Sequence, residues 1–290
     1  MKFGIPPSGV ADRFSAKTAN LLVGNEPGAA LLETHLFRLE LLAIEDLVVA
    51  ITGGNLSPAL DGSPLPMWQV LSLRKGDRLS FRGRKEGFRS YLALRGGFSG
   101  FMALNSRSVY TRGLMGDMLQ SGEILETAGT TTKPIPRKTF PDDKIPRFPP
   151  ENFLRVILGP QEDRFTEKGI ETFLSSEYRV SPQSDRMGYR LQGPALEHVR
   201  GADIISEPIA RGMIQVPGDG LPILLLWDAQ VSGGYTKIAS VISADLDRVA
   251  QVMPGDRLSF QVTDLKTAHL ALREEEARFS AVRSLLESEG

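Results

Sequence analysis

Cysteine is absent from the 290 residues, so the chain has no disulfide, no thiolate nucleophile and no sulfur-held metal, a composition that suits a reducing compartment and predicts the cytoplasm. Histidine is scarce too. His35, His198 and His269 stand far apart, with no His-x-x-x-His pair, so no metal site is expected. Charge of one sign is lacking: Lys+Arg 34 against Asp+Glu 35 leaves a net −1, which provides no basic field for nucleic acid and no cationic block for an anionic membrane surface. No apolar run approaches the length of a bilayer span, and no apolar stretch follows Lys2 as in a secretory leader. Nor is there a Gly-x-x-x-x-Gly-Lys-[Ser/Thr] loop, a Gly-x-Gly-x-x-Gly after a strand, or a Gly-x-Ser-x-Gly elbow, so any contact with ATP must be unconventional or shared, and a simple serine hydrolase is excluded.

What is present is a chain of 41% hydrophobic residues, long enough to bury a sizeable core. Short apolar or alternating runs bounded by Gly, Pro and Asp predict strands at 47–52, 78–82, 89–94, 153–158, 213–216 and 238–242, and a buried strand within 221–227. Helices are predicted over 15–23, 245–252, part of 162–174 and the tail 270–287. Six prolines between Thr127 and Pro150 resist helix and central strand alike, which divides the chain into a β-rich half at 1–126, a Pro/Thr-rich linker at 127–150 and a barrel half with terminal helix at 151–290. The hexapeptide Gly76-Asp77-Arg78-Leu79-Ser80-Phe81 recurs letter for letter at 255–260, with a weaker copy at 121–125. A Gly-Asp turn feeding an alternating strand accounts for each copy. The expected architecture is mainly β, two barrel-like halves with a few peripheral helices.

Polar groups concentrate where the 221–227 run ends. Asp228, Gln230, Ser232, Tyr235 and Lys237 fall within ten positions around the pair Gly233-Gly234, whose backbone can turn tightly or approach a ligand. Asp228 has the chemistry to take a proton, Gln230 and Ser232 to orient an amide or carboxylate, and Lys237 to neutralise developing negative charge. The plainer alternative has Asp228 capping a turn and Tyr235 packing. In Ser184 to Leu191, Arg186 is placed to grip a carboxylate or phosphate, or else to close a salt-bridged turn with its acidic neighbour.

Ordered blocks along nearly the whole chain resemble one family. They include Ser8-Gly9-Val10-Ala11-Asp12, Leu32-Glu33-Thr34, Gly87 to Gly97, Gly159-Pro160-Gln161, Asp185 to Leu191, Ile214-Gln215-Val216-Pro217, Asp228-Ala229-Gln230 and Gly233-Gly234-Tyr235. The chain is similar to the allophanate hydrolase subunit 2 family, also called the 5-oxoprolinase C-subunit family or biotin-dependent carboxyltransferase-like. The resemblance implies cyclophilin-like β-barrels and an ATP-dependent lactam hydrolase that opens 5-oxoproline to glutamate, inactive without its two partners, a B-like subunit and an A-like subunit of the same system. ATP would be shared with a partner, and biotin would not be attached covalently. Two other activities occur in the family: a non-catalytic binder that antagonises a kinase inhibitor, and a carboxyltransferase acting on a urea-like amide. Catalytic roles are then expected at Asp228, Lys237 and Tyr235, with Arg186, Gln215, Gln230, Ser232, Gly233 and Gly234 around the substrate. The chain departs from the family pattern at Val231-Ser232, at Thr236 and at Asp117, and lacks the opening strand before Ser8, which predicts a missing or replaced barrel strand.

Overall fold

A computed structural model describes residues 4–35, 39–129, 138–149 and 151–288. The chain forms two compact units: one takes the described residues up to Ala11 together with those after Pro150 as far as Glu275, the other Asp12–Pro149 with the C-terminal stretch from Glu276. The first segment therefore belongs with the C-terminal half of the sequence. The proline-rich stretch is packed where it is described, with Phe140 and Phe148 buried and Phe140 against Trp68 at 5.4 Å between ring centres; its residues 130–137 and 150 lie outside the described residues.

The unit holding residues 151–275 is a closed barrel. Going round, its seven strands are Ser232–Val241, Met213–Val216, Ile223–Leu225, Gly188–Gln192, Tyr178–Val180, Arg257–Val262 and Glu151–Leu158, the last pairing back onto the first. Neighbours are antiparallel except Arg257–Val262 beside Glu151–Leu158. The ring closes with the strands present, and closure leaves no free barrel edge. An eighth strand, Asp203–Pro208, adds outside the ring on Ser232–Val241 through a register shift. Alternation places the side chains: Tyr189 and Leu191 point inward while Arg190 and Gln192 face out, and Leu258 and Phe260 turn inward on their own strand. The helix Glu167–Ser175 starts at Thr166, whose side chain accepts from the Gly169 N–H, and buries Phe173 stacked on Phe260 at 4.6 Å.

Among the described residues the other unit contains two four-stranded sheets. One orders Leu32–Thr34, Glu86–Leu94, Leu47–Asn55 and Val70–Leu73; the second orders Leu39–Leu42, Arg78–Phe81, Pro58–Leu60 and Ser63–Pro64. Their shared core draws on Val49, Ile51, Leu79, Phe81 and Leu92, which all turn inward. Asp12 caps the helix Arg13–Leu22 by accepting from the Ser15 N–H at 2.9 Å. The helix Leu265–Ser288 buries Val282 and Leu286 here.

The repeated hexapeptide has the same conformation in each unit. Gly76 and Gly255 both have φ +98°, Asp77 and Asp256 each accept a backbone N–H three residues back through Oδ2, and each strand turns its Leu and Phe inward. A left-handed glycine is what lets both turns form. The weaker copy at 121–125 is a turn without a strand, with Ile124 exposed. Among the described residues no helix is long and apolar enough to cross a membrane.

Candidate functional site

The ten-position polar segment divides along its strand. In Ser232–Val241 the first four residues are exposed or half-buried, and Tyr235 keeps 41% of its surface; from Thr236 to Ala239 every residue is buried. A regular strand alternates inside and outside. This one does not: Thr236 and Lys237 pair in regular register with Val216 and Gln215, so they face opposite sides, and both are buried; only beyond them does the pairing slip, between Ile214↔Ala239 and Gln215↔Lys237, leaving Ile238 as an extra residue. Such a bulge re-aims the side chains that follow it, whereas Thr236 and Lys237 are buried in succession because both faces of the strand are covered at that point.

Lys237 is 1% exposed, and its Nζ lies 3.0 Å from Glu207 Oε2. The two form an ion pair, but Nζ meets no described acceptor with the full geometry of a hydrogen bond. Gln161 ties the pair together: its Nε2 donates to both Glu207 oxygens at 3.3 and 3.1 Å, and its Oε1 accepts from the Lys237 N–H at 3.2 Å. Contact with Lys237, and after it the Gln161 amide, holds the Glu207 carboxyl below its ordinary value, an effect that solvent screens because the side chain is 44% exposed. Gln215 is buried beside them, its Nε2 reaching Tyr235 O at 3.4 Å. The glycines leave little room: a Cβ on Gly233 would stand 2.5 Å from Ile209 Cδ1 and 2.8 Å from Gln215 Nε2, two side-chain ends that would have to move, and one on Gly234 3.1 Å from Ile204 O.

Asp228 belongs to a different constellation, on the turn after Ile223–Leu225. Arg186 meets it with two bonds, Nε to Oδ2 at 2.9 Å and Nη2 to Oδ1 at 3.2 Å, while Ser8 Oγ donates to Oδ1 at 2.7 Å. Arg186 Nη2 also donates to Gly9 O at 2.6 Å, and the Asp228 N–H to Arg186 O at 2.9 Å. So Arg186 reaches an acid 42 positions away, while the adjacent Asp185 accepts from the Met187 N–H. A carboxylate with both oxygens taken in this way serves better as an anchor for the Ser8-Gly9 segment than as a free base. Asp228→Asn should therefore cost about 2 kcal/mol in chemical denaturation by leaving Arg186 uncompensated, and combining it with Arg186→Ala should add little more. Additive losses would deny the coupling.

Of the sequence-derived candidates, the structure gathers Lys237, Tyr235, Gln215, Gly233 and Gly234 along one strand and its neighbour, and pairs Asp228 with Arg186. Gln230 is exposed on the approach to that strand and Ser232 is exposed at its first position. Sequence reasoning passed over Glu207, Gln161 and Ser8 as site residues, although Gln161 and Ser8 lie inside the quoted family blocks. Thr236, one of the departures from the family pattern, is buried: its Oγ1 donates to Val216 O at 3.2 Å and lies 3.0 Å from His198 Nε2. Burial lowers the His198 pKa, outweighing a backbone hydrogen bond that raises it. Since the folded value is depressed, the fold favours the neutral ring; stability is full above the unfolded value of about 6.5 and is lost as pH falls from there toward the folded value. Denaturation of His198→Gln across that window should show a shallower acid-side loss than the parent chain. Among the described residues no cluster of three or more His, Asp or Glu side chains is arranged to hold a metal.

Comparison with known proteins places this geometry in a context. A family model described as carboxyltransferase domain, subdomain A and B, matches residues 3–262. The chain is 33% identical over 290 residues to the C subunit of 5-oxoprolinase from Haemophilus influenzae, covering 99% of this chain and 92% of that protein. Against the corresponding C subunit from Escherichia coli the identity is 32% over 290 residues, with the same coverage of 99% and 92%. Among solved structures, Kluyveromyces lactis urea carboxylase superposes with a TM-score of 0.88 at 28% identity, covering 96% of this chain but 27% of that one.

Proposed function

From a chain that belongs to the carboxyltransferase domain family, subdomains A and B, we propose a subunit of an ATP-dependent 5-oxoprolinase, which opens the lactam of 5-oxoproline to glutamate together with partner subunits. The observation that carries this reading over a urea-directed carboxyltransferase is the coverage: the chain matches the 5-oxoprolinase subunits over 92% of their length and the urea carboxylase over 27%. The chemistry suits the residues present. A lactam is a stable amide, and transfer of the ATP γ-phosphoryl group to its oxygen, releasing ADP, makes the ring carbon electrophilic; one water adds there and the C–N bond breaks to leave an acyl phosphate and the free amine, and a second water hydrolyses the acyl phosphate to glutamate and inorganic phosphate. In this reading Lys237 supplies buried positive charge toward the substrate, Gln161 and Glu207 fix its surroundings, and Gly233-Gly234 allow the ligand close to the backbone, with Tyr235 at the rim. Asp228 and Arg186 hold the Ser8-Gly9 segment in place. ATP enters as a co-substrate shared with a partner.

The test is 5-oxoproline-dependent ATP hydrolysis by this chain mixed with an A-like and a B-like partner protein, leaving out each in turn. Turnover that requires all three is the expected result. A stable complex without turnover would instead favour the second reading, a binding protein of regulatory type, for which the exposed apolar side chains Phe101, Leu104, Leu114 and Met118 are the supporting observation.

A further inference from the structure

A buried ammonium ordinarily directs its three donors at aligned acceptors, because each one left unmet away from water is costly. Lys237 Nζ departs from this: it is buried, it stands 3.0 Å from Glu207 Oε2, and it makes no hydrogen bond of suitable geometry among the described residues. Its counter-ion is held in an unusual way. Glu207 lies on Asp203–Pro208, the strand added outside the barrel ring, where pairing with Ser232–Val241 shifts register between Asp203 and Glu207. The Glu207 side chain is half exposed, and it has a second holder in Gln161 Nε2, which donates to both of its oxygens. Glu207 can thus turn its own charge toward water, losing the Lys237 contact that a ligand carboxylate would replace. Lys237 has no such freedom, since its stem is enclosed and its charge must be met where it stands.

We propose that Lys237 Nζ is the subsite for a carboxylate on the ligand, and that Glu207 occupies that place in the free protein and is displaced when the ligand binds. The choice of probe rests on the lactam reading, because 5-oxoproline carries a carboxylate beside its ring; the geometry itself requires only a small carboxylate. Lys237 then meets a charge already present in the ground state, not one that develops during ring opening.

Calorimetry on the whole chain alone tests this with 5-oxoproline, with 2-pyrrolidinone, which is the same ring without the carboxylate, and with acetate, which has no ring. An internal competitor weakens apparent affinity by the fraction of molecules it leaves competent. If Glu207 occupies the ammonium in about nine molecules of ten, Glu207→Gln should bind 5-oxoproline about tenfold more tightly than the parent chain. Lys237→Met should lose that binding, and 2-pyrrolidinone should bind all three proteins alike. Equal or weaker binding of 5-oxoproline by Glu207→Gln would overturn the proposal, as would undiminished binding by Lys237→Met. Should Glu207→Gln misfold, carboxyl-carbon NMR of the parent chain decides: saturation with 5-oxoproline must move the Glu207 resonance, and an unmoved resonance sinks the idea. Failure of the oxoprolinase reading is distinguishable, because Glu207→Gln would then still gain affinity for acetate while the reconstituted mixture hydrolyses no ATP. A variant that binds neither carboxylate removes the subsite.

Discussion

Lys237→Met should lower kcat/KM of the reconstituted system by about 10²–10³-fold, the loss expected when one partner of a buried charge pair with the bound ligand is removed. Stability should scarcely change. Methionine fills nearly the same volume as the lysine stem, and the partner left behind, Glu207, is 44% exposed and can solvate its own charge. The combination separates catalysis from folding: chemical denaturation within about 1 kcal/mol of the parent, alongside a large loss of turnover. If the loss appears mainly in KM, the ammonium holds the substrate's existing charge; if mainly in kcat, it answers charge formed during reaction. Turnover close to that of the parent chain would remove Lys237 from the site.

Gly159→Ala should be the most damaging small substitution in the barrel unit. A methyl group there would lie 2.1 Å from the Lys237 carbonyl oxygen and 3.0 Å from the Ile238 carbonyl carbon. These are backbone atoms of a ring strand, and the Gly159 N–H already donates to Ile238 O at 2.8 Å, so neither side can yield without breaking the contact. A cost of about 3 kcal/mol is expected, at the upper end for overpacking. Turnover should fall as well, since Gln161, two residues on, would be carried away from Glu207 and Lys237. Gly218→Ala is the matched control: a methyl group at Gly218 meets nothing within 4 Å, and stability should stay within about 0.5 kcal/mol. Equal denaturation midpoints for the two variants would show that the close approach at Gly159 is not what the barrel depends on.

Much of the scaffold was legible because it rests on local rules. A hydroxyl residue opening an amphipathic run announces the helix expected over 15–23 and found at Arg13–Leu22, the Gly-Asp turns announce strands at 78 and 257, and the strands expected at 213–216 and 47–52 stand out by composition, the second running on to Asn55. The site was only partly legible. Its strand and its glycines could be found, but alternation along that strand could not say that Thr236 and Lys237 are both buried, since the answer depends on what covers each face: Val216 and His198 meet Thr236, and Gln161 and Glu207 meet Lys237. Arg186 looked ready for a ligand until its fold partner, Asp228, appeared from a different turn.

By itself the sequence determined the class of the protein: mainly β, without cysteine, near neutral in charge, with polar groups displayed around Gly233-Gly234. These follow from composition, periodicity and turn chemistry, which act over a few residues. Only the tertiary structure decided which charges meet. Lys237 finds Glu207 thirty positions back, with Gln161 bridging them, and Asp228 finds Arg186 and Ser8. The physical reason is that an ion pair depends on where barrel closure, a bulge and an added outer strand bring distant side chains within about 3 Å, and no local propensity encodes that coincidence.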